Sequence, residues 1–143
     1  MDSEKQPGIT INQIFLNKAH LEHSVESLAL PPNTPVGDHE LTVTVSTGFS
    51  EDGKQGVATV TVQTTADSAG LYRFVVEMVG LAGIEEGQEN IPITEYVSNI
   101  LPPTMFPFLR EAIANLTGRG RFGSVWLKPV NLTQLKPAPT KNE

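Results

Sequence analysis

Hydrophobic positions along the chain follow a strand period first and a helical one later. Residues 9–23 are dense in apolar and β-branched side chains, but their alternation slips between Ile11 and Leu16, which predicts a bulged strand and not a helix. Leu28, Ala29 and Leu30 then run into Pro31, Pro32 and Pro35, whose fixed φ and missing N–H groups forbid long regular structure, so 24–38 is expected as a crossover loop with an apolar centre. Leu41, Val43 and Val45 alternate with Thr42, Thr44 and Ser46. After Glu51-Asp52-Gly53 the pattern returns as Ala58, Val60 and Val62 against Thr59, Thr61 and Gln63, which predicts a hairpin with one wet face. A turn at 67–70 leads into a strand over 71–79, with Tyr72, Phe74, Val76 and Met78 on one face and Leu71, Arg73, Val75 and Glu77 on the other. The three glycines of 80–88, set around Leu81, Ala82 and Ile84, predict an irregular loop.

The period then changes. Met105, Leu109, Ile113 and Leu116 fall at helical spacing, and Phe106, Phe108 and Ala112 widen the stripe beyond one ordinary core-facing face. Pro102 and Pro103 suit the first helical turn, Gly118 or Gly120 a left-handed cap at its end, and Arg119 and Arg121 the negative end of the dipole. A short return strand is expected at 125–127. The elements add up to an α+β fold: an antiparallel four-stranded meander sheet with one long helix packed against it. A single domain over 9–135 is expected between flexible tails at 1–8 and 136–143.

Composition narrows the function. A chain of 143 residues, 38% hydrophobic, makes one domain that buries roughly two-thirds of its unfolded surface. Ten basic against sixteen acidic residues, net charge -6, argue against nucleic acid and for attraction to basic partners. The lack of cysteine excludes disulfides and thiolate chemistry. MDSEKQPG lacks the basic and apolar regions of a signal peptide, and no apolar run approaches the ~20 residues of a membrane span, so a cytoplasmic protein without membrane insertion is expected.

Catalytic and cofactor patterns are weak. Gly118-Arg119-Gly120-Arg121-Phe122-Gly123 matches G-x-G-x-x-G, but it follows a helix where a dinucleotide fingerprint must open one. His20 and His23 fall on opposite faces of a strand, which disfavours shared metal ligation. Asp38-His39-Glu40 resembles an acid–base cluster without an identifiable nucleophile. No enzyme, cofactor or metal site is expected. What a monomer leaves unexplained is apolar surplus: the wide helix stripe, the face Tyr72, Phe74, Val76 and Met78, the loop residues Leu28 and Leu30, and Leu81 with Ile84. Such surplus marks an oligomer interface or a binding groove.

F-P-x-x-R-E-x-I at 106–113, R-G-x-F at 119–122 and L-x-P-V-N at 127–131 resemble the SecB protein-export chaperones in order and spacing over about a quarter of the chain. The strand 9–23 is similar in pattern, and Ala82-Gly83-Ile84-Glu85 matches a further short block. The resemblance implies a SecB-like fold and a homotetramer, a dimer of dimers, that holds unfolded precursor proteins for export without ATP. It implies that Met105, Leu109, Ile113 and Leu116 divide between the core and an oligomer interface. The client groove would comprise Leu28, Leu30, Tyr72, Phe74, Val76, Met78, Leu81, Ile84 and Phe106. Glu22 matches a position used to dock the SecA motor, whereas Lys18 stands where the family usually carries aspartate, and Pro137 and Pro139 stop a usual second helix. A SecB-like chaperone for a non-export client such as an antitoxin is the alternative within the family, and a small-ligand binding protein the alternative outside it.

Overall fold

The computed structural model describes residues 8–85 and 90–128. The expected tails, apart from Gly8, lie outside these residues, as do Asn131, Pro137 and Pro139. Strand β1 (Ile9–His23) pairs antiparallel with β4 (Tyr72–Ile84), and its register shifts at Ile11/Gln13 and again at Leu16/Lys18. These bulges are the physical form of the slipping alternation. β2 (Leu41–Phe49) and β3 (Gln55–Thr64) form the expected hairpin, in a sheet ordered β1-β4-β3-β2. Its turn is closed by Asp52, whose Oδ1 accepts from the Ser50 hydroxyl at 2.6 Å and the Lys54 N–H at 3.0 Å, while Gly53 takes φ 71°.

β4 does not end where its glycines begin. The ladder runs on through Gly80 and Gly83 to Ile84, replacing the irregular loop expected over 80–84. Gly80 serves close packing there: a Cβ on it would lie 2.8 Å from Met105 Sδ and 3.3 Å from Leu101 Cδ1.

Helix α1 (Ile93–Asn99) is short and was not predicted; it precedes α2 (Leu101–Thr117), which holds Pro102 and Pro103 in its first turn and Pro107 in its interior. Leu101, Met105, Leu109, Ile113 and Thr117, spaced by four, have no exposed surface and form the row that α2 lays across the sheet. Each such large apolar side chain contributes about 1.5–3 kcal/mol of burial. Against them stand Tyr72, Phe74 and Val76 of β4 and Ala58, Val60 and Val62 of β3, all at most 1% exposed.

The end of α2 differs from expectation. Gly118 caps it at φ -62°, Gly120 is not left-handed either, and the positive φ falls on Gly123 at 94°. Glycine is needed at 118 for closeness, since a Cβ there would meet Ser124 Oγ at 2.7 Å. Residues 125–127 join no ladder; their backbone groups bond to α2 side chains instead.

Candidate functional site

One helix cannot cover four strands. The face of the sheet toward α2 includes Val43 and Val45 on β2 and Leu16 and Ala19 on β1, in register with the core residues Val62, Val60, Met78 and Val76. The central strands are sealed and the margins are not: Val43 is 38% exposed and Leu16 51%. On this face of the sheet, apolar surface is therefore left open along two strips, one on each side of the helix.

Along β2 the strip becomes a groove of about 470 Å³. Its floor is Phe106 with Leu41 and Val43; one wall is the end of the crossover loop, Val36 to His39, and the other is the segment 124–128 with exposed Trp126. That second wall is held to α2 by side chains. The Thr117 hydroxyl accepts from the Val125 N–H at 2.8 Å, and Arg110 Nε donates to the Leu127 carbonyl at 3.0 Å. The arginine of the 106–113 block thus fixes the leucine that opens the 127–131 block, which gives the spacing of those motifs a physical meaning.

The crossover wall is fastened to the start of β4. The Leu71 N–H donates to the Val36 carbonyl at 2.9 Å, and the Tyr72 N–H donates to His39 Nε2 at 3.1 Å. Burial first, then the Arg73 charge, holds His39 below its ordinary pKa of 6.5, against an opposing pull from Asp38. Its Nε2 accepts a hydrogen bond, so the neutral ring carries its proton on Nδ1, which is buried without a partner among the described residues. This geometry contains an imidazole and a carboxylate, and no group of potential metal ligands is found among the described residues.

Along β1 the other strip forms a cavity of about 390 Å³ between the edge strand and α2, lined by Leu16, Ala19, Met78, Phe108, Ala112 and Leu116 among others. Phe108 is 49% exposed.

The sequence-derived site residues divide accordingly. Phe106 lies in the groove floor. Tyr72, Phe74 and Val76 were expected to line the groove, but they are sealed beneath α2, and in this conformation a client cannot touch them. Met78, 6% exposed, belongs to the margin beside β1. Leu81 pairs with Val57 and Gln13 on the opposite face of the sheet, and Ile84 packs half-buried at the far end of the core beside Ile9. Leu28 is exposed on the crossover, and Leu30 is anchored there by Arg121, whose guanidinium donates to its carbonyl at 3.0 Å. Of the residues assigned to the oligomer interface, Met105, Leu109 and Ile113 are fully buried within the protomer, because they face the sheet; Leu116 alone reaches the β1 cavity. Val36, Val43 and Trp126 in the groove and Leu16 in the cavity were not singled out.

Glu22 is exposed opposite Arg73, with Oε1 3.0 Å from His20 Nε2. Lys18 stands opposite Glu77, whose carboxyl is held low first by hydrogen bonds from Asn17 and Thr61 and also by the Lys18 charge. Among the described residues no helix is long and apolar enough to cross a membrane.

The family model described as "Preprotein translocase subunit SecB" matches residues 2–141. Protein-export protein SecB of Haemophilus ducreyi is 32% identical over 89 residues, 61% of this chain and 51% of that protein. Its counterpart from Histophilus somni is 30% identical over 94 residues, 64% and 54% of the respective lengths. The chain therefore spans about half the length of the curated relatives it matches. A Mycobacterium tuberculosis SecB-like chaperone, solved in complex with a ChAD peptide from the HigA1 antitoxin, superposes with TM-score 0.65 at 17% identity, covering 85% of this chain and 90% of that one, which is a likeness of fold. With the family model matched across nearly its whole length, the chain belongs to the SecB family.

Proposed function

We propose that this protein is an ATP-independent holdase that binds unfolded preproteins in the cytoplasm and keeps them competent for the Sec translocase. The observation that carries this reading is the open groove along β2, apolar on its floor and rimmed by Trp126, 64% exposed. An extended apolar segment laid there would cover surface that the protomer leaves in water, and area removed from water supplies the affinity. The net charge of -6 favours basic clients and faster encounter. The strip along β1, with Leu16, Phe108 and Leu116, suits the surface where copies meet in a homotetramer built as a dimer of dimers. Exposed Glu22 is the candidate contact for SecA.

A second reading, a SecB-like chaperone for an antitoxin, draws on the fold match to a protein solved with an antitoxin peptide and on Lys18, which places a positive charge on the proposed docking face. The test is suppression of aggregation of a chemically unfolded protein without nucleotide, with the same protein in its folded form as control. A requirement for ATP, or complete loss of activity at moderate salt, would refute a holdase driven by apolar burial. A pull-down comparing SecA, precursors and antitoxins then separates the two readings.

A further inference from the structure

Tyr72 is buried completely, so it offers no surface to a client, yet it bonds to one wall of the groove and to the turn that leads into the other. Its backbone N–H donates to His39 Nε2 in the crossover wall at 3.1 Å. Its phenol reaches the opposite end: the hydroxyl donates to the Gly123 carbonyl at 2.8 Å and accepts from the Phe122 N–H at 2.8 Å, where the second wall begins. Its ring stacks on His39 at 5.9 Å between centroids and meets His23 edge-on at 5.3 Å. His23 Nε2 in turn accepts from the Arg121 N–H at 3.0 Å. Approach of the turn to the phenol is possible because position 120 is glycine. A Cβ there would lie 2.7 Å from Tyr72 Cε1 and 2.8 Å from its hydroxyl, and a buried ring has no room to yield.

We infer that Tyr72 is a positioning residue that sets the opening of the client groove by tying the crossover wall to the turn at 122–123 that leads into the 124–128 wall, an inference that rests on the chaperone reading above. A phenol can do this where the other apolar residues of its face cannot, since it is the hydroxyl that satisfies two backbone groups of the turn at once. Burial raises the pKa of that hydroxyl above its ordinary value, which keeps its proton available to the Gly123 carbonyl. Without the hydroxyl, Phe122 and Gly123 lose their bonds to β4, and the segment is held on either side of them by Arg121, bonded to His23 and Leu30, and by Val125 and Leu127. The groove then samples wider openings, and a bound segment leaves sooner.

The test compares Tyr72→Phe with Thr61→Val, which removes a hydroxyl bond to Glu77 on the opposite face of the sheet. An uncharged peptide rich in leucine and phenylalanine is the probe, its dissociation followed by stopped flow, while amide exchange is read at Phe122. Tyr72→Phe should raise the peptide Kd about tenfold, mostly through faster dissociation, and accelerate Phe122 exchange; Thr61→Val should change neither. Faster Phe122 exchange with unchanged peptide kinetics overturns the inference, as does unchanged exchange, or an equal loss of binding in Thr61→Val. If the unaltered protein binds no such peptide, the chaperone reading fails instead, and the Phe122 exchange still decides whether the tie exists.

Discussion

Leu109 and Phe108 are neighbours on α2 with opposite environments, and exchanging each tests the proposed division of the helix into a core face and an assembly face. Leu109 has no exposed surface and lies in the row that packs on β4 and β3. Leu109→Ala removes most of a buried side chain and leaves a cavity, at a cost of about 3 kcal/mol. In a domain of this size that lowers the melting temperature by about 10 °C. The loss belongs to the protomer, so calorimetry at low and high protein concentration should give the same decrement. Phe108 is 49% exposed and lies beside the β1 cavity. Phe108→Asp should be tolerated by an isolated protomer, but at a subunit interface it would bury an unpaired carboxylate at a cost of about 3–5 kcal/mol. Sedimentation should then show dissociation, and the melting temperature should become concentration-dependent. If Leu109→Ala melts within about 1 kcal/mol of the unaltered protein while its assembly falls apart, the assignment of Leu109 to the core is wrong.

Acidification should destabilise the protein through His39. Its folded pKa lies below 6.5, so the unfolded chain takes up the proton first as pH falls; stability is full above about 6.5 and declines through the interval down to the depressed folded value. A melting-temperature series from neutral to mildly acidic pH should slope less steeply in His39→Gln, and an identical slope would remove His39 from the account. Lys18→Asp should strengthen binding to SecA at low salt by completing an acidic set with Glu22, but it sets a carboxylate opposite Glu77, so the gain should come with a loss of stability of about 0.5–1 kcal/mol. Unchanged SecA titration and unchanged melting would show that neither Glu22 nor Glu77 senses that position.

Periodicity carried most of the fold. The hairpin and the helix over Leu101–Thr117 are visible as hydrophobic repeats, because each lays one regular face on the core, and the first strand is visible by a broken repeat, because its two bulges interrupt the alternation. Gly80 was misread because glycine usually signals a turn, whereas here it admits Met105 to the sheet surface. α1 escaped because seven residues with Ile93, Tyr96 and Val97 inward show too few turns to establish a period. The groove was less legible for a different reason. Alternation tells which face of β2 is apolar but not how far the helix extends over it; Val45 is covered and Val43, two residues away on the same face, is not. The wall bearing Trp126 is set by bonds from Arg110 and Thr117, which no repeat in the sequence announces.

The chain contains a single tryptophan, and it stands 64% exposed in the groove wall, so its fluorescence reports on that wall. Titrating an unfolded precursor into the protein without nucleotide should shift Trp126 emission to shorter wavelength, saturably and in step with binding measured on a labelled precursor that itself lacks tryptophan. The same precursor once folded should leave the emission unchanged. Precursor binding of normal affinity with no change in Trp126 emission would place the clients elsewhere and contradict the groove as the site of holding.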